Sequence, residues 1–107
     1  MSSIMINLSE LINDKVTTIT GRQFGVAYAE QKKLLEHIKN NEQVEIIISD
    51  KVAAINDSFI KGFFNEVFKF LKSKDKVAKQ ITITADSNFK NLFDKNWTIL
   101  ESIYHAG

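Results

Sequence analysis

The sequence predicts one α/β domain with a mostly parallel sheet of about four or five strands and helices packed against it. Short runs of β-branched residues alternate along the chain with longer segments in which apolar residues recur at the helical period. Strands separated by helices of about 10 to 15 residues indicate right-handed crossovers, which make neighbouring strands parallel. The length of 107 residues, with 44% hydrophobic and 25% charged residues, fits a single domain.

The amino-terminal part of the chain predicts strands followed by a helix. Residues 4–8 form a first strand, and a second short strand is expected around residues 16–19. Residues 21–25, Gly-Arg-Gln-Phe-Gly, are typical of a loop. From Val26 onward the apolar residues recur at the helical period until Asn40 and Asn41, which end the predicted helix.

The clearest strand signal is the segment of residues 44–49, Val-Glu-Ile-Ile-Ile-Ser. Its β-branched residues fall on both faces of the pleat, which is the pattern of an interior strand. We therefore expect helices on both faces of the sheet.

A phenylalanine-rich helix is predicted next, opening at Asn56, Asp57 and Ser58. Each of these side chains can accept a hydrogen bond from a first-turn N–H, which stabilises a helix by about 1 kcal/mol relative to Ala. The apolar residues then follow a helical period, namely Ile60, Phe63, Phe64, Val67, Phe68 and Leu71. Phe63, Phe64 and Phe68 are predicted to be core residues.

Phe59 and Phe70 widen the apolar stripe of this helix beyond the roughly 100° that one sheet face needs. Either neighbouring helices bury both rings, or the rings form an exposed patch that docks a partner, since aromatic residues are favoured in interface cores. Gly62 would allow close approach to the helix, and helix packing is the commoner reason for such a glycine. The sequence leaves both interpretations open for Phe59 and Phe70.

The carboxyl-terminal part predicts one more strand and one more helix. Residues 80–85 alternate Ile with Thr, which favours a position near the sheet edge. Asp86, Ser87 and Asn88 offer caps for a helix that carries Phe89 and neighbouring apolar residues. Residues 99–104 fit either an extension of that helix or a short final strand.

Composition excludes several classes of function. Without cysteine there is no disulfide or thiolate site, and without a signal peptide or an apolar run of membrane-spanning length we expect a cytoplasmic protein with no membrane partner. A net charge of +1 gives no general attraction to nucleic acid. The one basic cluster is more typical of a solvated helix end than of a nucleic-acid surface, and it comprises Lys69, Lys72, Lys74, Lys76 and Lys79.

Enzyme chemistry has little support in the sequence. His37 and His105 have no metal-site spacing, no nucleophile-elbow motif surrounds Ser58, and residues 21–25 fit neither a phosphate-binding nor a dinucleotide-binding motif. We therefore predict no catalytic residue, no metal and no cofactor. Arg22 could bind a carboxylate or phosphate through its guanidinium fork, or be an ordinary loop arginine. A pocket that joins Arg22, Ser58 and a histidine would favour an enzyme.

Four segments carry a resemblance to a known family. Residues 44–49 and then residues 54–60, Ala-Ile-Asn-Asp-Ser-Phe-Ile, resemble the strand, loop and helix start of STAS domains, the anti-sigma factor antagonist fold, and more closely the bacterial STAS-like domains of unknown function. The Gly/Arg segment of residues 21–25 is similar to the one before their first helix. Residues 89–94 with Asn96 and Trp97 are similar to their third helix and the following turn. The resemblance spans roughly residues 20–105 and implies one STAS-like domain over 1–107.

The resemblance implies a regulatory protein-interaction module without catalysis. Anti-sigma factor antagonists dock onto a histidine-kinase-like ATPase, which phosphorylates a serine at the start of the second helix, and Ser58 matches that serine. The antagonist pattern has Gly where this chain has Phe59 and Asp where it has Asn56, and we expect a bulky ring beside the hydroxyl to hinder a close-fitting kinase site. Without the resemblance, Ser58 would be an ordinary helix cap.

The partner-binding surface predicted from these residues lies at the start and along the aromatic face of the second helix, with Arg22 as a further contact to an anion or partner. It comprises Asn56, Asp57, Ser58, Phe59, Gly62 and Phe70. The alternative from a different class is a constitutive structural or homo-oligomeric domain without a phosphoswitch, with Phe59 and Phe70 at the contact.

Overall fold

The computed structural model describes residues 3–105, and its main sheet has three strands. These are β1 (Ser3–Asn7), β3 (Gln43–Ile47) and β5 (Ile81–Thr84), all parallel in the order β1-β3-β5. Two shorter strands, β2 (Thr18–Ile19) and β4 (Ala54–Ile55), pair in parallel as a separate sheet. The predicted α/β class and parallel pairing are confirmed. A single sheet of four or five strands is wrong, because two of the strands form their own ladder.

Five α-helices and one short 3-10 helix connect the strands. They are the 3-10 helix Leu8–Leu11, α1 (Arg22–Gln31), α2 (Leu34–Lys39), α3 (Asp57–Leu71), α4 (Lys74–Gln80) and α5 (Ser87–His105). The loop predicted over residues 21–25 is wrong, since α1 already begins at Arg22. The helix predicted from Val26 onward is interrupted at Lys33, whose φ of 56° and ψ of 40° lie in the left-handed region. Residues 99–104 belong to α5.

One face of the main sheet is covered by helices and the other is open. The register aligns Ile4, Val44 and Ile81, and then Ile6, Ile46 and Ile83, on the covered face. The side chains between them point the other way, and they include Met5, Glu45, Ile47, Thr82 and Thr84. Met5 is 69% exposed, and both threonines are exposed. The expectation of helices on both faces is therefore wrong, because the strands beside β3 carry polar or exposed residues on its second face.

Helix α3 lies at the centre of the helical layer, between α1 and α5. Its Phe63, Phe64 and Phe68 are buried, which confirms their prediction as core residues. The rings of Phe63 and Phe64 meet edge to face with centroids 4.9 Å apart, and Phe64 meets Trp97 of α5 in the same way at 5.3 Å. Such aromatic pairs add about 0.5–1.5 kcal/mol each beyond the burial of their area. They join α3 to α5 in one core.

Within residues 3–105, no helix combines the length and the apolar character that crossing a membrane requires.

Candidate partner-binding site

The amino-terminal ends of α1 and α3 lie side by side. Strand β2 leads into α1 and strand β4 leads into α3, and the two strands pair in parallel with Ile19 aligned to Ile55. The pairing continues into the connecting backbone, where the N–H of Asn56 donates to the carbonyl of Ile19 over 2.8 Å. Two parallel strand-helix units therefore present their helix starts at the same end of the small sheet.

Two glycines allow the two helices to touch through their backbones. A Cβ atom on Gly62 would lie 2.1 Å from the carbonyl oxygen of Arg22, and one on Gly25 would lie 2.3 Å from the carbonyl oxygen of Phe59. Neither position can hold a side chain unless the backbone moves. Gly62 follows Ser58 by about one helical turn. The Gly/Arg segment and the Ser58 segment, which the sequence singled out separately, are thus brought together.

Asn56 is the N-cap of α3. Its backbone is extended, with φ −78° and ψ 144°, and its Oδ1 accepts a hydrogen bond of 2.8 Å from the N–H of Ser58. The hydroxyl of Ser58 donates to the same oxygen over 2.7 Å. Of the three predicted cap residues, Asn56 therefore does the capping. The interpretation of Ser58 as an ordinary cap is wrong, because its side chain is a half-buried donor inside the first turn.

Asp57, the first residue of α3, is held by α5. Its Oδ1 accepts a hydrogen bond of 3.2 Å from the side-chain amide of Asn96, and its Oδ2 lies 3.1 Å from the ammonium group of Lys95. The Asn96 hydrogen bond, followed by the one from Lys95, lowers the pKa of the Asp57 carboxyl. An ionised carboxylate at a helix amino terminus is favoured by the helix dipole. This contact fixes the start of α3 relative to α5.

Asn96 is the polar residue at the centre of this contact. It is fully buried, and its amide nitrogen also donates to the carbonyl of Leu92 over 2.9 Å. Its Oδ1 has no hydrogen-bond partner among the described residues. Sequence reasoning missed Asn96 and Lys95 as parts of the site, since the contact with Asp57 joins residues 39 positions apart and leaves no local signal.

Phe59 and Gly62 do not present surface to a partner. Phe59 is 0% exposed, and its ring packs against Phe24 at 5.8 Å and Tyr28 at 6.4 Å between centroids. The prediction of both residues as partner contacts is therefore wrong, because α1 covers them. The Phe59 ring is buried in the core, so it adds no exposed bulk beside Ser58.

Phe70 is separated from the start of α3. It is 50% exposed, and the Lys39 ammonium group lies 5.4 Å from the centre of its ring. At 1.5 Å per residue, Phe70 lies roughly 18 Å along the helix axis from Ser58. One continuous aromatic binding face is therefore not formed, because Phe59 is a core residue and Phe70 lies at the far end of the helix.

The enzyme-like pocket that would join Arg22, Ser58 and a histidine is not formed by the described residues. Arg22 is exposed and in no ion pair within residues 3–105. His37 pairs with Glu42 over 3.0 Å, and His105 contacts the carbonyl of Lys72, just after the end of α3. Across the described ranges, no three His, Asp or Glu side chains gather as a metal-binding cluster.

Two concave surfaces lie away from the start of α3. A polar cleft of about 710 Å³ opens at the carboxyl ends of β1 and β3, where the hydroxyls of Ser9 and Ser49 are hydrogen-bonded over 2.8 Å. A smaller apolar groove of about 370 Å³ runs between α1, α2 and α3, with Phe63 and Val67 on one side and Leu34 on the other. Neither surface was predicted from the sequence, because each combines residues from distant segments.

Comparison of the chain with protein-family models, with curated proteins and with solved structures finds no match.

Proposed function

We propose that this chain is a non-catalytic, STAS-like regulatory module that binds a protein partner at the paired starts of α1 and α3. The observation that supports the proposal is the backbone contact between Arg22 and Gly62, which places the Gly/Arg segment beside the turn that carries Ser58. Both segments belong to the resemblance to bacterial STAS-like domains, which are related to anti-sigma factor antagonists. The partner expected on that basis is a histidine-kinase-like ATPase. The cysteine-free composition suits a cytoplasmic protein.

The binding surface of the proposal is smaller than the one expected from the sequence alone. Asn56, Asp57, Ser58 and the exposed Arg22 remain as contacts, since Phe59 and Gly62 are buried. The guanidinium group of Arg22 is in no ion pair with a described residue and can pair with a carboxylate or phosphate of the partner.

Ser58 is the proposed phosphoacceptor. Its hydroxyl is not required as a helix cap, because Asn56 has that role, so modification leaves the cap oxygen in place. In the reaction the hydroxyl oxygen forms a bond to the γ-phosphorus of ATP, the bond from that phosphorus to the leaving ADP oxygen breaks, and the hydroxyl proton, which is hydrogen-bonded to Asn56 in the free domain, passes to a general base of the partner kinase. The product carries about −1.5 to −2 charges at the helix amino terminus.

Release of the partner would come from the interface rather than from unfolding of the domain. A negative charge near the start of a helix is favoured by about 0.3–1 kcal/mol, so the phosphate does not disrupt α3. At the interface the same phosphate would be stripped of water or brought near like charges, and both effects weaken binding. The proposed switch therefore acts on affinity and leaves the fold intact.

The test compares the proteins captured from a native-host extract by the wild type and by Ser58→Asp. Ser102→Asp is the matched control, since Ser102 is an exposed serine on α5. The proposal expects an ATPase to be captured by the wild type and by the control and lost from Ser58→Asp. An identical set of captured proteins for the wild type and both variants would overturn it and favour the constitutive interaction domain.

A further inference from the structure

The outer edge of β1 is an unpaired sheet edge. In the order β1-β3-β5, strand β1 has a neighbour on one side only among residues 3–105. Apart from the ladder to β3, the backbone of residues 3–7 makes no backbone hydrogen bond to any other described residue. An unpaired edge presents a row of N–H and C=O groups that can pair with another strand.

This edge lacks the features that usually prevent such pairing. Residues 3–7, Ser-Ile-Met-Ile-Asn, contain no charged residue and no proline, and the strand continues for five residues. Its central side chain, Met5, is 69% exposed, the highest exposure of any large hydrophobic residue in the described part of the chain. The opposite edge is shorter, with four residues in β5, and there Thr82 and Thr84 occupy the open face.

We propose that two copies of this chain pair their β1 strands antiparallel about a two-fold axis at Met5. Directly opposite residues in an antiparallel pair lie on the same face of the sheet. The axis therefore places Met5 against Met5 of the partner subunit on the open face, and Ile4 against Ile6 of the partner subunit on the helix side. Ser3 lies opposite Asn7 of the partner subunit. Every position of the strand meets a residue of matching polarity.

The charges of the molecule do not oppose this arrangement. The nearest like charges on the open face are the two copies of Glu45, which is aligned with Met5 on the next strand. Three strand spacings of about 4.8 Å separate them, or roughly 14 Å. That distance exceeds the Debye length of about 8 Å at physiological ionic strength, so their repulsion is largely screened.

The paired strands would form one continuous sheet of six strands, β5-β3-β1 followed by the same three strands of the second copy in reverse order. The half-buried Ile4 would gain cover from the second copy. The contact is a self-complementary interface of the kind expected for a two-fold dimer. It uses none of the residues of the surface proposed around Ser58, so its failure would leave the proposal for Ser58 unaffected.

The absence of cysteine allows a direct test of the register. Opposed Cα atoms in an antiparallel pair are about 4.5–5.5 Å apart, which suits a disulfide. Under mild oxidation Met5→Cys should form a covalent dimer. Ser3→Cys and Asn7→Cys should each form little covalent dimer alone and should cross-link when mixed. Thr82→Cys is the control, since it is exposed on the same face but lies on β5.

Sedimentation provides the second measurement. The wild type should show a concentration-dependent mass that approaches that of a dimer, and Met5→Lys should remain a monomer with an unchanged circular dichroism spectrum. A wild type that stays monomeric up to the solubility limit would overturn the proposal. So would cross-linking of Met5→Cys no faster than that of Thr82→Cys, or efficient cross-linking of Ser3→Cys with itself.

Discussion

The carbonyl oxygen of Arg22 occupies the space that a side chain on Gly62 would need, 2.1 Å from the position of its Cβ. Gly25 has the reciprocal contact with the carbonyl of Phe59 on the other helix. These two contacts set the distance between α1 and α3. They also bring the two segments of the candidate site together.

Gly62→Ala is expected to destabilise the domain by about 1–3 kcal/mol, the usual cost of overpacking a tight contact, although Ala is the better helix former. The obstructing atom belongs to the backbone of Arg22 and cannot rotate away. Urea unfolding measures the effect. Lys69→Ala, at an exposed position of the same helix, is the control and should change stability by no more than about 0.5 kcal/mol. Equal stabilities of the two variants would contradict the close contact.

Asn56→Ala should lower the free energy of unfolding by about 1 kcal/mol, because it removes the cap of α3. Ser58→Ala should cost less than about 0.5 kcal/mol, since Ser58 caps nothing and only donates to Asn56. Chemical denaturation of the two variants separates the role of Asn56 as the helix cap from that of Ser58 as a donor to Asn56. A Ser58→Ala variant as unstable as Asn56→Ala would restore Ser58 as a capping residue.

The pKa of Asp57 is lowered in the folded protein, chiefly by the hydrogen bond from Asn96 and then by Lys95. A carboxyl group whose pKa is lower when folded stabilises the protein above its unfolded pKa, and that stability is lost as the pH falls through the folded pKa. Asp57→Asn should therefore be less stable than the wild type at neutral pH, and the difference should shrink in acid. The effect is moderated by solvent screening, because the Asp57 side chain is 42% exposed.

Unfolding free energies of the two proteins, measured from neutral to acidic pH, test this prediction. Asp94→Asn is a suitable control, because Asp94 is also paired with a lysine but its side chain is more exposed, at 63%. A stability difference between Asp57→Asn and the wild type that stays constant with pH would contradict the lowered pKa of Asp57 in the folded protein.

Ionisation of the Tyr28 hydroxyl should lower the free energy of unfolding at alkaline pH. Burial, together with the hydrogen bond of 2.5 Å to Glu10, raises the pKa of its hydroxyl. A group whose pKa is higher when folded gives stability that is fully present below the unfolded pKa, about 10 for tyrosine, and is lost at higher pH. Tyr28→Phe removes this loss. Unfolding free energies measured below and above that pH should show the wild type losing stability relative to Tyr28→Phe at the higher pH. A stability difference between the two proteins that stays constant across this range would contradict the raised pKa of Tyr28.

The sequence predicts α3 well because its core residues repeat locally. Phe63, Phe64 and Phe68 follow the helical period, and their burial needs no knowledge of distant segments. The sequence does not predict the start of α1, since a glycine at position 25 in Gly-Arg-Gln-Phe-Gly is typical of a loop. In the structure Gly25 is a helical residue kept small by the backbone of α3.

The other differences between the predicted and the observed structure also come from contacts between distant segments. The second face of β3 stays open because Met5 of β1 and Thr82 of β5 lie beside it there. The residue pattern of β3 alone does not contain this information. The contact of Asp57 with Asn96 is equally non-local. The parts of the site set by local pattern, such as the cap at Asn56, were among the predicted candidates.

The measurement that tests the central claim most directly is intact-mass spectrometry of the protein purified from its native host, followed by peptide mapping. The proposed partner switch predicts a fraction of molecules carrying the mass of one phosphate, located on Ser58, with unmodified Ser102 as the internal reference. A protein that carries no phosphate under any growth condition, or carries it elsewhere, would contradict the switch at Ser58.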